Sequence, residues 1–240
     1  MNNAEPLKNI RVVLIRTSHP GNIGGTARAM KTMGLTDLHL VLPRMFPHAD
    51  ALARATGAVD VLERAQVHAS LAPALDDCVL AVATTSRHRE LRHETATVRE
   101  AARTMVDIAR TGPVAIVFGN ETSGLTSAEA AACELWASIP ANPAFLSLNV
   151  AAAVQVCAYE LRMACVEPPP PRSAEFPLAT HDEVAQLYAH LEQTMVNVGF
   201  HDPAHPRRLP ARLKRLLARA RLETDEVSLL RGFLRAVNER

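Results

Sequence analysis

Aromatic residues are scarce in this 240-residue chain: one Trp, two Tyr and six Phe, 4% in all. That leaves little for the base-stacking platforms on which many single-strand RNA binders depend. Cysteine is sparse too. Cys78, Cys133, Cys157 and Cys165 form no CxxC pair, and no His cluster lies near enough to complete a zinc site. They read as small buried apolar residues in a reducing compartment, so no metal is expected. No apolar run approaches membrane-spanning length, and the first residues, with acidic Glu5, lack the charged-then-apolar order of a signal. A soluble cytoplasmic protein with no membrane partner is the expectation. Net charge is only +1, so where the charge lies matters more than its sum.

What the chain does have is apolar residue, 48% of it, enough for a sizeable core. The runs at 10–15, 37–42, 78–84, 113–119 and 134–140 have the character of strands buried in a parallel sheet. Helical stretches lie between them, at 22–33, around 50–56 and 70–76, at 98–110 and at 126–133. Gly34 fits a C-cap, while Thr97 with Glu100 and Thr126 with Glu129 fit capping boxes, which gives both Glu residues a structural task. This alternation predicts an α/β fold, a doubly wound, mostly parallel sheet. A long apolar helix follows from about Ser147, its expected N-cap, to Cys165. The prolines 168–171 then suggest a stiff linker over 166–178, dividing a sheet domain, 1–165, from a small all-α domain, 179–240.

Three stretches stand out: SHPGNIGGTARAM at 18–30, FGNETSGL at 118–125 and IPANPAFLSLN at 139–149. Each has small or polar loop residues where a strand or loop hands over to a helix, the place where open α/β sheets bind ligands. In the first, Gly21, Gly24 and Gly25 surround Asn22; they suit close approach of a backbone or ligand, and the helix start favours an anion. Arg28 on that helix could hold a phosphate, or be an ordinary solvated Arg. In the second, Asn120 and Glu121 could be ligand groups or merely a polar turn. Gly119 is read as a point of close ligand approach, so Gly119→Val should obstruct a pocket with little loss of fold. The turn at Thr84, Thr85 and Ser86 should share the same sheet edge.

Charge is concentrated near the end: seven Lys or Arg and no acid in 207–221. Arg208, Arg212, Arg215 and Arg219 share one helical face, while Leu209, Leu213, Leu216 and Leu217 share another. A solvated amphipathic helix would look the same, but a stripe without acids is better explained as a phosphate-tracking surface.

The three stretches, in this order, resemble the motifs of the SPOUT superfamily of RNA methyltransferases: Asn22 with Arg28, Gly119–Glu121 with Gly124-Leu125, and Ser147–Asn149. The resemblance is to the 2′-O-methylating branch, and most to the bacterial tRNA (cytidine/uridine-2′-O)-methyltransferases, whose helical extension the end of the chain also matches. It implies a deep trefoil knot at the C-terminal end of the sheet domain. It also implies S-adenosylmethionine as cofactor, bound by Thr84, Thr85, Ser86, Gly119, Ile139, Leu146, Ser147 and Leu148. The catalytic set would be Arg28, Asn22, Ser147, Asn149 and Glu121. Arg28 would orient the ribose 2′-oxygen and clamp the neighbouring phosphate, and Glu121 would fix its loop. Arg28, Asn120, Arg208, Arg212, Arg215 and Arg219 would meet RNA, with Asn120 standing where some members carry Arg. The implied partners are tRNA, methylated at nucleotide 32, and a second copy of the chain paired through the knot helices. Another tRNA position, rRNA, or a non-catalytic RNA-binding role are the alternatives.

Overall fold

A computed structural model describes residues 5–85, 93–166 and 176–239. Its strands are β1 (Ile10–Ile15), β2 (Asp37–Val41), β3 (Gln66–His68), β4 (Leu80–Thr84), β5 (Thr95–Thr97), β6 (Val114–Phe118) and β7 (Leu135–Ser138). They form one sheet in the order β3-β2-β1-β6-β4-β7-β5, every pair parallel. The five apolar runs are therefore all strands. The two short edge strands, β3 and β5, were not expected. The last strand, β7, lies between β4 and β5 rather than at an edge.

Helices α1 (Pro20–Met33), α2 (Ala49–Ala55), α3 (Val59–Glu63), α5 (Val98–Ile108) and α7 (Val150–Val166) supply the larger core, while α4 (Ala72–Leu75) and α6 (Ser127–Ala131) serve the smaller. Side chains alternate between the two cores along each strand: Val12, Leu14 and Ile116 join the first, Val13, Ile15 and Val117 the second. The second face is thinly covered, by Ala74, Leu75 and Ala130 on short helices and by Cys78 and Cys133 in the loops that follow them. Gly34 ends α1 in the left-handed conformation, φ 91°, and the capping boxes of Thr97 and Thr126 are both formed.

Buried polar chemistry appears near the start of β1. Arg11 donates to Asp37 at 3.0 Å and to Asp77 at 2.7 Å, with its side chain 10% exposed. Burial works against charging this guanidinium, but the two carboxylates outweigh it and raise its pKa.

Helix α7 begins at Val150, not Ser147. The N–H groups of Ala151 and Ala152 are received by Asn149 Oδ1, at 2.9 and 3.4 Å, so Asn149 is the cap. The helical region comprises α8 (His181–Asn197), α9 (Leu209–Ala220) and α10 (Thr224–Asn238). Its joint with the sheet lies on the thinly covered face. His181 N donates to Cys78 O, Asp182 N to Asp76 O at 3.2 Å, and the His181 ring meets Ala132 O at 2.7 Å. The expected linker does not stay free to residue 178: Leu178 bridges Glu223, and Ala179 N donates to Leu222 O at 2.8 Å. Its prolines, 168–171, lie outside the described residues.

Candidate active site

Four adjacent strands, β1, β6, β4 and β7, end at one rim of the sheet. The chain runs outward from β1 through β2 to β3 and then crosses to β4, so this rim holds the topological switch where open α/β sheets bind ligands. A cavity of about 400 Å³ opens there. It is lined by Thr84 and Thr85 after β4, residues 118–125 after β6, Ala137 and Ile139 from β7, and Leu146–Leu148, Val150 and Ala153 from the third stretch. Thr84, Thr85, Gly119, Ile139, Leu146, Ser147 and Leu148, all expected at a cofactor, thus share one wall. Ser86 lies outside the described residues. The volume falls within the range of small-molecule pockets, and the lining mixes apolar side chains with Thr, Ser, Asn120 and Glu121.

The polar rim is organised by Glu121. Its Oε1 accepts from Asn22 Nδ2 at 2.8 Å, and its Oε2 accepts from Ser18 N and Oγ at 3.0 and 2.9 Å. Asn149 Nδ2 donates to Asn22 Oδ1 at 2.9 Å, so all three stretches are linked side chain to side chain. Burial would raise the Glu121 carboxyl, but the donors Asn22 and Ser18 hold it below the usual carboxylate range. Glu121 is therefore an ionised acceptor that fixes its neighbours, not a proton donor. Ser18 was not singled out by the sequence, because a Ser before a helix reads as a turn residue.

Asn120, expected at RNA, has both ends of its amide engaged inside the protein. Its Nδ2 donates to Arg16 O at 2.7 Å, and its Oδ1 accepts from Thr122 N at 2.9 Å and Ser123 N at 3.2 Å. Gly119 also differs from expectation. A Cβ there would lie 2.2 Å from Gly124 C and Leu125 N, so the glycine is required by its own loop. Gly119→Val would break that loop rather than merely fill the pocket. The first-stretch glycines likewise serve packing: a Cβ on Gly24 would lie 2.1 Å from Ala51 O of α2, and one on Gly25 3.0 Å from Ala151 of α7. The start of α1 is capped by His19, whose Nδ1 accepts from Gly21 N at 3.2 Å.

Arg28 is exposed on α1, outside the cavity lining, and makes no ion pair among the described residues. Ser147 lines the cavity from an exposed loop. In the helical region, Arg208, Arg212 and Arg219 are exposed as expected, but Arg215 is half-buried; of the predicted leucine face, Leu209, Leu213 and Leu217 are half-buried and Leu216 is exposed. Leu217, with Leu222 just after the helix, packs against the helical core.

The matching family model is the SpoU rRNA Methylase family, over residues 9–159, and the TrmJ C-terminal domain matches residues 182–240. The chain belongs to the SpoU methylase family. It is 46% identical to the tRNA (cytidine/uridine/adenosine-2′-O-)-methyltransferase TrmJ of Pseudomonas aeruginosa, covering 95% of this chain and 93% of that protein. To the tRNA (cytidine/uridine-2′-O-)-methyltransferase TrmJ of Cronobacter sakazakii it is 45% identical, with 96% of each covered. The crystal structure of TrmJ from Z. mobilis superposes with a TM-score of 0.82 at 33% identity, over 96% of this chain and 99% of that one. The SpoU match ends within α7 and the TrmJ match begins at the start of α8, so the family architecture has the same two parts as the structure.

Proposed function

We propose that this chain methylates the ribose 2′-hydroxyl of a cytidine or uridine in tRNA, at nucleotide 32 of the anticodon loop, using S-adenosylmethionine. The observation that carries the reading is the single rim on which the cavity and the Glu121–Asn22–Asn149 chain meet. The cofactor fits the residues present: Thr84, Ala137, Ile139, Leu146 and Leu148 suit a neutral adenine, and among the described residues no cationic side chain lines the cavity against a sulfonium. When bound, S-adenosylmethionine supplies an electrophilic methyl group.

The protein's part is alignment. Glu121 holds Asn22, and Asn149 holds its other end, so the Asn22 amide is fixed at the cavity rim before substrate arrives. Arg28 orients the 2′-oxygen and clamps the adjacent phosphate through its planar fork. Being a poor base, it leaves that phosphate or a water to take the proton. Ser147 shapes the cavity mouth from the third stretch. Arg28 reaches a reacting centre most simply in a homodimer paired through α7, whose outer face exposes Tyr159.

The P. aeruginosa relative is also named for adenosine, which supports testing that base as well. Methyl transfer to unmodified tRNA transcripts bearing C, U or A at nucleotide 32, followed by mapping of 2′-O-methyl groups, tests the reading. Label at nucleotide 32 for C and U is expected. Label at another position, or only in rRNA, would overturn the assigned target.

A further inference from the structure

Helix α9 ends on an anomaly. Its C-cap is Arg221 in the left-handed conformation, φ 51° and ψ 59°, where glycine or asparagine is the ordinary choice. A non-glycine residue carries backbone strain there, and such strain persists where the side chain is held by its surroundings. Arg221 is held: its Nη2 donates to Glu94 at 2.9 Å, with the Arg side chain 19% exposed.

Glu94 stands at the foot of β5, and its carbonyl accepts from Trp136 N of β7 at 3.0 Å. The preceding His93 stacks on the Trp136 ring, centroids 4.6 Å apart and planes 3° from parallel. The next residue along β7 is Ala137, which lines the cavity and whose carbonyl accepts from Thr85 N at 2.9 Å. An unbroken series of packed and bonded groups therefore runs from the end of the basic helix to the cavity wall.

We infer that Arg221 is a positioning residue that couples RNA held on α9 to the cofactor cavity through Glu94, Trp136 and Ala137. The inference rests on the reading of the chain as a tRNA methyltransferase. RNA that orders α9 fixes the Arg221–Glu94 pair, and that pair fixes the β5–β7 edge against which Thr85 is set. Coupling of this kind is reciprocal: tRNA tightens cofactor binding by the factor with which cofactor tightens tRNA binding.

The test is the Kd of S-adenosylhomocysteine for the full chain, by calorimetry, with and without an unmodified tRNA transcript. The native protein should bind it roughly five-fold or more tightly with tRNA present, the lower end of ordinary allosteric coupling. Arg221→Gly should bring that ratio close to one while melting at an unchanged or higher temperature, because glycine relieves the backbone. Glu94→Gln, which keeps shape and removes charge, should lower the ratio likewise. The exchange Arg221→Glu with Glu94→Arg should recover part of it. A purely structural Arg221 would leave the ratio untouched in Arg221→Gly, and that result overturns the inference. So does a native ratio of one with both ligands bound. Failure of the native protein to bind tRNA at all would instead strike the tRNA reading, and this inference with it.

Discussion

The sheet region and the helical region are held together in different ways. In the sheet region, strands feed two extensive cores, and even a strand arginine is buried and paired with two carboxylates. In the helical region, the buried apolar residues are Ala179, Leu187, Tyr188, Met195, Val227 and Leu234 with a few half-buried neighbours, and α9 has no buried residue. Leu229, Phe233, Phe200 and Val198 remain exposed there. The lesson is a division of labour. The sheet fixes a cavity before any ligand arrives, whereas α9, lightly packed, can adjust to what it binds.

The contrast breaks most severely at Arg11. Arg11→Ala leaves Asp37 and Asp77 without their cation; because Asp77 is 59% and Asp37 35% exposed and Asp37 keeps His39, the loss is about 2–3 kcal/mol, below that of a fully buried pair. A urea denaturation series should show that loss as a lower midpoint with an unchanged slope. Gly119→Ala comes next. Its Cβ overlaps the Gly124–Leu125 backbone, so the loop must shift, at about 1–3 kcal/mol. S-adenosylhomocysteine binding should weaken at least tenfold in a protein that still folds.

The helical region should respond with its stability intact. Reversing Arg212 and Arg219 to Glu should weaken tRNA binding and lower the log–log salt slope by roughly 0.7–0.9 for each phosphate that the helix ceases to neutralise. Thermal melting should not move. An unchanged salt slope would make α9 a solvated face, and RNA recognition would fall to the sheet region alone.

Smallest is the expected pH effect. The Asp37, Asp77, Glu121 and Glu129 carboxyls are all held below their ordinary values by donors or cations. Their contribution is present above the unfolded pKa, about 4, and is lost as pH falls through the lower folded values. Stability should therefore show a shallow decline from about pH 6.5, where His68 and His93, both held below the usual imidazole value by burial, bind protons more readily in the unfolded chain, and a steeper fall below about pH 4. In Arg11→Ala, Asp77 loses its main partner while Asp37 keeps His39, so the acid limb should begin at the same pH and be shallower.

Long apolar runs made the sheet legible from sequence, and five of seven strands follow from them. β3 and β5 were not legible because Gln66–His68 and Thr95–Thr97 are short edge segments whose pairing comes from neighbours rather than from pattern. The cavity wall was legible through the family resemblance, since spacing alone cannot bring residues 84, 119 and 147 together. The cap of α7 was misplaced because Ser147 and Asn149 are both good caps, and only the backbone decides between them. The glycines were half legible: Gly119 lines the cavity as expected, but that its own loop, and for Gly24 the backbone of α2, also demand glycine could not be read, because a glycine does not declare which atom approaches it. Arg11 gave no signal: one charge in IRVVLI looks like a surface position until Asp37 and Asp77 are seen beside it.

The hydrogen bond from Asn149 to Asn22 has a consequence in time as well as in space. Its partners are 127 residues apart, and the bond from Asn22 to Glu121 spans 99. A chain growing on the ribosome makes α1 early, yet cannot complete the rim until Asn149 has emerged, after β7 has entered the sheet. Until Glu121 has emerged the Asn22 amide has neither of these partners, and until Asn149 has emerged it has only the first. Methylating capacity should therefore arise abruptly and late in synthesis, so partial chains should not act on tRNA before the whole sheet is in place.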